Sequence, residues 1–336
     1  MKFSFFIYPQ LYILLTIVFY SCSKTVDEWQ VEETDIIEED LILNNQSEYI
    51  IVLGDIQIYT SQIAALKYLR QTMDWINAQN KYGKNINCIL QVGDITNNNS
   101  YTHWEHFYDC TYQSNDILYI ACTGNHDYDW DSNGKINDRN STHINDFASF
   151  PLTKLNIIDY FEPGKIENVV IANSIHGERL DIIVLEFGPR EEVLDWINKY
   201  VAEHQGVRYI LMTHEFLTRD GKRISKNSYA EQQLRNTTWS SPEQIWEKVV
   251  SKNDNILCVL CGHSGFTAHL FTKNDYNRDV PQVLFNLQFQ ENGGDGMIQL
   301  WEFPEKSDSA SVKVYNTIKR EFHPDSSTSF KFRYRY

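Results

Sequence analysis

The chain has 336 residues, 42% of them hydrophobic, enough to bury one large core or two small ones. Its 45 acidic and 30 basic side chains leave a formal net charge of −15 with no basic stripe, which excludes the usual nucleic-acid binders. Cys22 aside, Cys88, Cys110, Cys122, Cys258 and Cys261 are an odd set that gives no clean disulfide framework.

Residues 1–21 read as an export signal: Lys2 at the front, an apolar run from Leu11 to Tyr20 too short for a comfortable membrane span, then a small residue before Cys22. Ser21-Cys22-Ser23 resembles a bacterial lipoprotein cleavage box, so Cys22 is expected to carry lipid and anchor the chain to the cell envelope. The bulk of Tyr20 keeps plain secretion or an uncleaved anchor open. Residues 22–47, acidic from Asp27 to Asp40 and without a clear period, read as a solvated tether to a domain over 48–336.

The domain begins with Tyr49-Ile-Ile-Val-Leu-Gly54, a short apolar run that ends in Asp55-Ile-Gln57. Such a run reads as a buried strand delivering polar groups to its C-terminal rim, where α/β proteins keep their chemistry. Residues 60–80 carry Ile63, Leu66, Leu69, Met73 and Ile76 at helical spacing, with Ser61 as cap, and form a crossover helix. Cys88 to Gly93 is the next strand and runs into Asp94. Residues 100–110, with Trp104 and Phe107, read as another helix in which His103 and His106 are surface or core residues. Tyr119-Ile-Ala-Cys-Thr-Gly124 then runs into Asn125-His126-Asp127. After the turn Gly188-Pro189-Arg190, residues 191–203 form an amphipathic helix with Val193, Leu194, Trp196, Ile197 and Val201 inward. Tyr209 to Thr213 runs into His214-Glu215. Residues 219–241 are a long polar loop near the site opening, and Ser241-Pro242-Glu243 starts a helix through Val250. Ile256 to Gly262 runs into His263, and because Cys258 and Cys261 lie inside this strand they read as small core residues. Strands at 283–289, 297–303, 311–315 and 330–336 follow, around the Gly293 to Gly296 turn. One strand ending in Asp or His is an ordinary turn; five at one rim need another explanation.

The order Gly54-Asp55-Ile56-Gln57, Gly93-Asp94, Gly124-Asn125-His126-Asp127, Thr213-His214 and Gly262-His263 resembles the calcineurin-like metallophosphoesterases, in particular a bacterial branch whose first motif reads Asp-x-Gln. The resemblance covers nearly all of the chain after residue 48, including Glu186 to Arg190 and Asn286-Leu-Gln288. It implies an α/β fold, a four-layer α-β-β-α sandwich of two mixed sheets. It also implies a metal-dependent phosphoric ester hydrolase, a phosphatase or phosphodiesterase in which a metal-activated hydroxide attacks a small phosphorylated substrate. Carried over residue by residue, Asp94, Asn125, His214 and His263 hold one divalent ion, and Asp55, Gln57 and a bridging Asp94 hold a second, from among Mn, Fe, Zn and Mg. His126 stays unligated as general acid or cationic stabiliser, with Asp127 either orienting its other nitrogen or capping the next turn. The wider family more often has His at the positions of Gln57 and Gly265. The second ion is therefore expected to be weaker and of a harder type, Mn²⁺ or Mg²⁺, with His269 or Gln288 as replacement ligands. This depletion sustains a rival reading, a non-catalytic surface binding module that keeps one metal.

Asp129-Trp-Asp131-Ser-Asn133-Gly134-Lys-Ile-Asn137 matches the spacing of a calcium loop, with Gly at its sixth position and Asn140 in place of the bidentate Glu. Any surface turn uses the same residue types, so calcium at Asp129, Asp131 and Asn133 and a plain turn both stand. A Gly-x-Ser-x-Gly elbow and a Gly-x-x-x-x-Gly-Lys cradle are both missing.

Overall fold

The computed structural model describes residues 42–82, 85–112, 116–147 and 155–335. The export signal, Cys22 and the tether as far as residue 41 lie outside the described residues.

Apolar runs rich in Ile, Val and Leu pair here into two mixed sheets. The first has the strand order Glu321–Phe322, Ser309–Asn316, Met297–Pro304, Ser47–Leu53, Asn85–Gln91 and Leu118–Ala121, with Phe330–Arg333 also pairing Ser309–Asn316. The second runs Phe266–Lys273, Asp279–Asn286, Ile256–Cys261, Arg208–Met212, Glu178–Val184, Val169–Ile171 and Ile157–Tyr160. Central strands have neighbours on both sides: Ile51 sits between Leu300 and Ile89, and Ile210 between Ile182 and Cys258. Strands buried on both faces read as continuous apolar runs rather than alternating ones.

Side-chain alternation in the second sheet sorts the layers. Ile182, Val184, Ile210, Met212 and Phe285 face a core shared with the first sheet. Ile183, Leu211, Val259 and Leu284 face Val193, Leu194 and Ile197 of helix Glu191–Glu203 and Ile245 and Val249 of the helical stretch beginning at Pro242. Helices Ile63–Lys81 and Tyr101–Cys110 join the shared core through Leu69, Met73, Ile76, Trp104 and Phe107. Burying a side chain such as Leu69 stabilises by about 1.5–3 kcal/mol relative to exposure. The result is the α-β-β-α sandwich.

Strands Ser47–Leu53, Asn85–Gln91 and Leu118–Ala121 are mutually parallel, as are Glu178–Val184, Arg208–Met212, Ile256–Cys261 and Asp279–Asn286. Within each set the C-terminal ends therefore lie along one rim, from which the ligand-bearing loops leave.

The structure differs from the sequence reading in places. The helix expected from residue 60 is broken at Gln62, which is extended (φ −118°), so Gln57–Ser61 is a separate turn and Ser61 is no cap. That turn is tied to the neighbouring loop, Ile56 N to Asp94 O at 3.2 Å and Thr60 Oγ1 to Ile95 O at 2.7 Å, which stops the main helix from running through it. Ile63, one of the apolar residues at helical spacing, stands at the helix start and is 78% exposed. Trp196 is half-buried, packed against the Phe161 ring at the helix edge. Ser241 caps its helix by accepting from Gln244 N, and Cys88, Cys110, Cys122, Cys258 and Cys261 are free and buried. Among the described residues no helix is long and apolar enough to cross a membrane.

Candidate metal centre

The loops that follow the strand ends are narrow where glycine precedes the ligand, at Asp55, Asp94, Asn125 and His263. A Cβ on Gly124 would stand 2.2 Å from Asp94 Oδ1, and one on Gly262 2.4 Å from Asp55 Oδ1. Gly93 is left-handed at φ +91°, and a Cβ there would meet His214 Nδ1 at 2.7 Å. The strain extends to ligands themselves: Asp94 at φ 48° and His263 at φ 66° occupy the left-handed region that non-glycine residues rarely adopt. Backbone strain of this kind persists only where the surroundings enforce it, and it clusters at functional sites.

Four side chains converge as a result. His214 Nε2 lies 3.2 Å from Asp94 Oδ1 and 3.2 Å from His263 Nδ1, and His263 Nδ1 lies 3.0 Å from Asn125 Oδ1. His214 Nδ1, 2.6 Å from Val92 O, donates to that carbonyl, which aims Nε2 at the cluster. Trp130 Nε1 donates to Asn125 O at 2.8 Å and steadies the Asn125 loop. Two imidazole nitrogens, a carboxylate oxygen and an amide oxygen within such reach are a donor set for a divalent transition metal.

Electrostatics argue the same way. Burial alone would raise the Asp94 carboxyl, but the His214 imidazole outweighs it and holds Asp94 below the usual carboxylate range. Burial would lower His214, yet Asp94, by charge and hydrogen bond, pushes it up to about 10. Burial and the nearby His214 charge push His263 down to about 3, so it stays a neutral ligand.

The flanking half has Asp55 and Gln57. Burial raises the Asp55 carboxyl, and three donors surround it: His263 N to Oδ1 at 3.1 Å, with Asn286 Nδ2 at 2.5 Å and Gln288 Nε2 at 3.0 Å to Oδ2. Gln57 Nε2 donates to Gln288 Oε1 at 2.7 Å, while Gln57 Oε1 is buried without a partner. An orphaned buried acceptor carries a desolvation cost of about 1–3 kcal/mol, which a cation shared with Asp55 and Asp94 would remove. The residues present fit a second ion. At Gly265 the Phe289 ring covers the position where a further imidazole would stand, since a Cβ would meet it at 2.1 Å. Of the two candidate replacements, Gln288 reaches the site, whereas His269 stacks on the Phe330 ring, centroids 4.5 Å apart.

His126 lines the same cavity, its backbone N–H donating to Asp94 Oδ1 at 3.0 Å. Its Nδ1 pairs with Asn97 O at 2.7 Å, and its ring lies 4.6 Å from that of Trp130. Orienting His126 is therefore the work of the Asn97 carbonyl and not of Asp127, a correction to one of the two roles expected for that carboxylate. Asp127 accepts from Gly124 N (2.9 Å), Ile95 N (3.2 Å), Thr96 N (2.8 Å) and Thr96 Oγ1 (3.1 Å), joining the second and third ligand loops. It is fully buried, and burial together with Asp94 pushes its carboxyl up to about 6.

Residues 129–137 form a tight hairpin turn. Asp131 accepts from Asn133 N (2.8 Å), Lys135 N (3.0 Å) and Asn137 Nδ2 (3.0 Å), and Trp130 pairs Ile136 across the hairpin. Asp129 accepts from Asn99 Nδ2 at 2.8 Å.

The cavity beside the cluster has a volume of about 530 Å³. Residues of the 219–241 loop form its wall, as expected, but Arg219, Lys226 and Tyr229 carry no motif that would have singled them out.

A family model for calcineurin-like phosphoesterases matches residues 49–277. An uncharacterized protein of Bacillus subtilis (strain 168), YvnB, is 26% identical over 164 residues, which is 46% of this chain and 11% of that protein. The chain thus spans about a tenth of the length of this curated relative. Among solved structures, the 5'-nucleotidase precursor of Thermus thermophilus aligns with a TM-score of 0.42 at 13% identity, covering 85% of this chain and 54% of the other. A 5'-nucleotidase from Candida albicans aligns with 0.44 at 12% identity, covering 88% and 53%.

Proposed function

This chain belongs to the calcineurin-like phosphoesterase family, and we propose that it hydrolyses a phosphomonoester or phosphodiester of a small molecule. The observation that carries the reading is the convergence of Asp94, Asn125, His214 and His263 beside an unligated His126 at the wall of a cavity.

Asp94, Asn125, His214 and His263 would hold one divalent ion, and Asp55, Gln57 and Asp94 a second. Such ions, when bound, make a neutral-pH nucleophile of water and offset charge on the phosphoryl oxygens. The protein supplies the rest. His126, its Nδ1 fixed by the Asn97 carbonyl, has Nε2 left to donate a proton to the leaving oxygen. Asp127, by tying Gly124 to Ile95 and Thr96, keeps the His126 and Asp94 loops in register.

Export and anchoring belong to the same proposal, supported by Lys2, the Leu11 to Tyr20 run and Ser21-Cys22-Ser23. Metabolic labelling with a radioactive fatty acid tests it, since Cys22→Ser abolishes the label if Cys22 is the anchor.

The enzymatic test is hydrolysis of a chromogenic phosphodiester and monoester with added Mn²⁺. Activity in the parent, lost in Asp94→Asn and in His126→Ala, supports the hydrolase. Equal rates in all three proteins mean a metal-containing binding module without turnover.

A further inference from the structure

In a chain of net charge −15, two basic side chains of the loop beside this cavity are matched: Lys222 pairs with Asp220 and Arg223 with Glu243. Arg219 and Lys226 break the pattern. Both line the cavity and are exposed, and among the described residues no carboxylate lies within ion-pair distance of either.

The hairpin explains why Arg219 stays unmatched. Thr218 N donates to Lys222 O at 2.7 Å and Gly221 N to Thr218 O at 2.9 Å, and Asp220 accepts from Thr218 Oγ1 and from Lys222. The tip's acid is thereby engaged, and the Arg219 guanidinium rests 4.5 Å over the Phe266 ring. The acids lining the cavity are Asp94 and Glu215, and Glu215 is turned to its own loop, accepting from Tyr229 N at 2.6 Å and Ala230 N at 3.1 Å. Trp130, Tyr229 and Phe289 line the same cavity with rings 41%, 47% and 73% exposed. Two cations without a carboxylate partner and three partly exposed aromatic residues beside the candidate metal centre make a surface suited to an anionic organic ligand.

We propose that Arg219 and Lys226 form a subsite for a second anionic group of the substrate, a phosphate or carboxylate beyond the reacting phosphoryl group. The organic body of that substrate lies against Trp130, Tyr229 and Phe289. This rests on the phosphoesterase reading and narrows it to doubly anionic esters.

The test compares phenyl phosphate with 1,4-phenylene bisphosphate on the Mn²⁺-loaded full chain, by calorimetric Kd and by KM. The bisphosphate is expected to be favoured by roughly tenfold, as for a charge-assisted hydrogen bond. Arg219→Gln/Lys226→Gln brings the ratio toward one, while Lys199→Gln, a charge control on helix Glu191–Glu203, keeps it. The single variants, each lowering the ratio, carry the test if the double variant does not fold. Equal Kd values in the parent, no binding of either ester, or an unchanged ratio in the variants overturn the subsite. Selective binding without turnover keeps the subsite and refutes the hydrolase; turnover without selectivity does the reverse.

Discussion

The Asp94 cluster and the 129–137 loop both carry metal-ligand residue types, and they use them oppositely. In the loop, Asp131 has three N–H donors within its own six neighbours, so its oxygens are satisfied locally. In the cluster, the partners of His214 and His263 come from segments tens to more than a hundred residues away, and two of the ligands sit in left-handed backbone that holds them in place. Ligand spacing along the chain is weak evidence when the backbone offers competing hydrogen bonds. Ligands that long-range strand pairing brings together have no such local alternative.

Breaking the cluster has the largest expected effect. Asp94→Asn removes the carboxylate shared by both proposed ion sites and should lower kcat by on the order of a thousandfold, read from initial rates at saturating Mn²⁺. Gly124→Ala comes next: with its Cβ 2.2 Å from Asp94 Oδ1, the ligand loop must shift, costing about 1–3 kcal/mol in a denaturant melt and weakening metal binding. Gly54→Ala, whose Cβ meets its nearest atom at 3.1 Å, should cost less, and equal costs would mean that crowding at Asp94 is not the cause.

Gln57→Ala sharpens the contrast within the metal centre. It should weaken the second ion by about 10–100-fold while one equivalent stays bound, as measured by metal analysis after dialysis. Loss of both equivalents together would show that the two halves are not separate sites. The smallest effect belongs to the loop. Asp131→Ala should leave hydrolysis within about twofold, and added Ca²⁺ should leave the parent's Tm unmoved, since an ion that binds the native state raises it. A calcium-dependent rise would assign a metal to 129–137.

How much was legible follows the same division. The five strand ends were readable because an apolar run terminating in Gly-Asp, Thr-Gly-Asn or Gly-His is a local pattern. Strand Phe266–Lys273 was not, because it is half-exposed along most of its length and its residues alternate weakly. The segment between 157 and 184, with strands Ile157–Tyr160, Val169–Ile171 and Glu178–Val184, likewise gave no reading, its strands being short or flanked by polar residues. For Asp127 two roles stood open, orienting His126 or capping the next turn, and the buried carboxylate took the backbone donors Gly124 N, Ile95 N and Thr96 N instead of the His126 ring.

By itself the sequence determined the buried strands, the long helices and the chemical identity of the metal-competent side chains, since these follow from local hydrophobic pattern and residue type. Only the tertiary structure decided which of them meet: that Gln288 rather than His269 reaches Asp55, that Phe289 lies over Gly265, and that Arg219 and Lys226 line the cavity unmatched. Those outcomes depend on strand order, loop direction and competition among hydrogen-bond partners distant in the chain, and no window of neighbouring residues contains them.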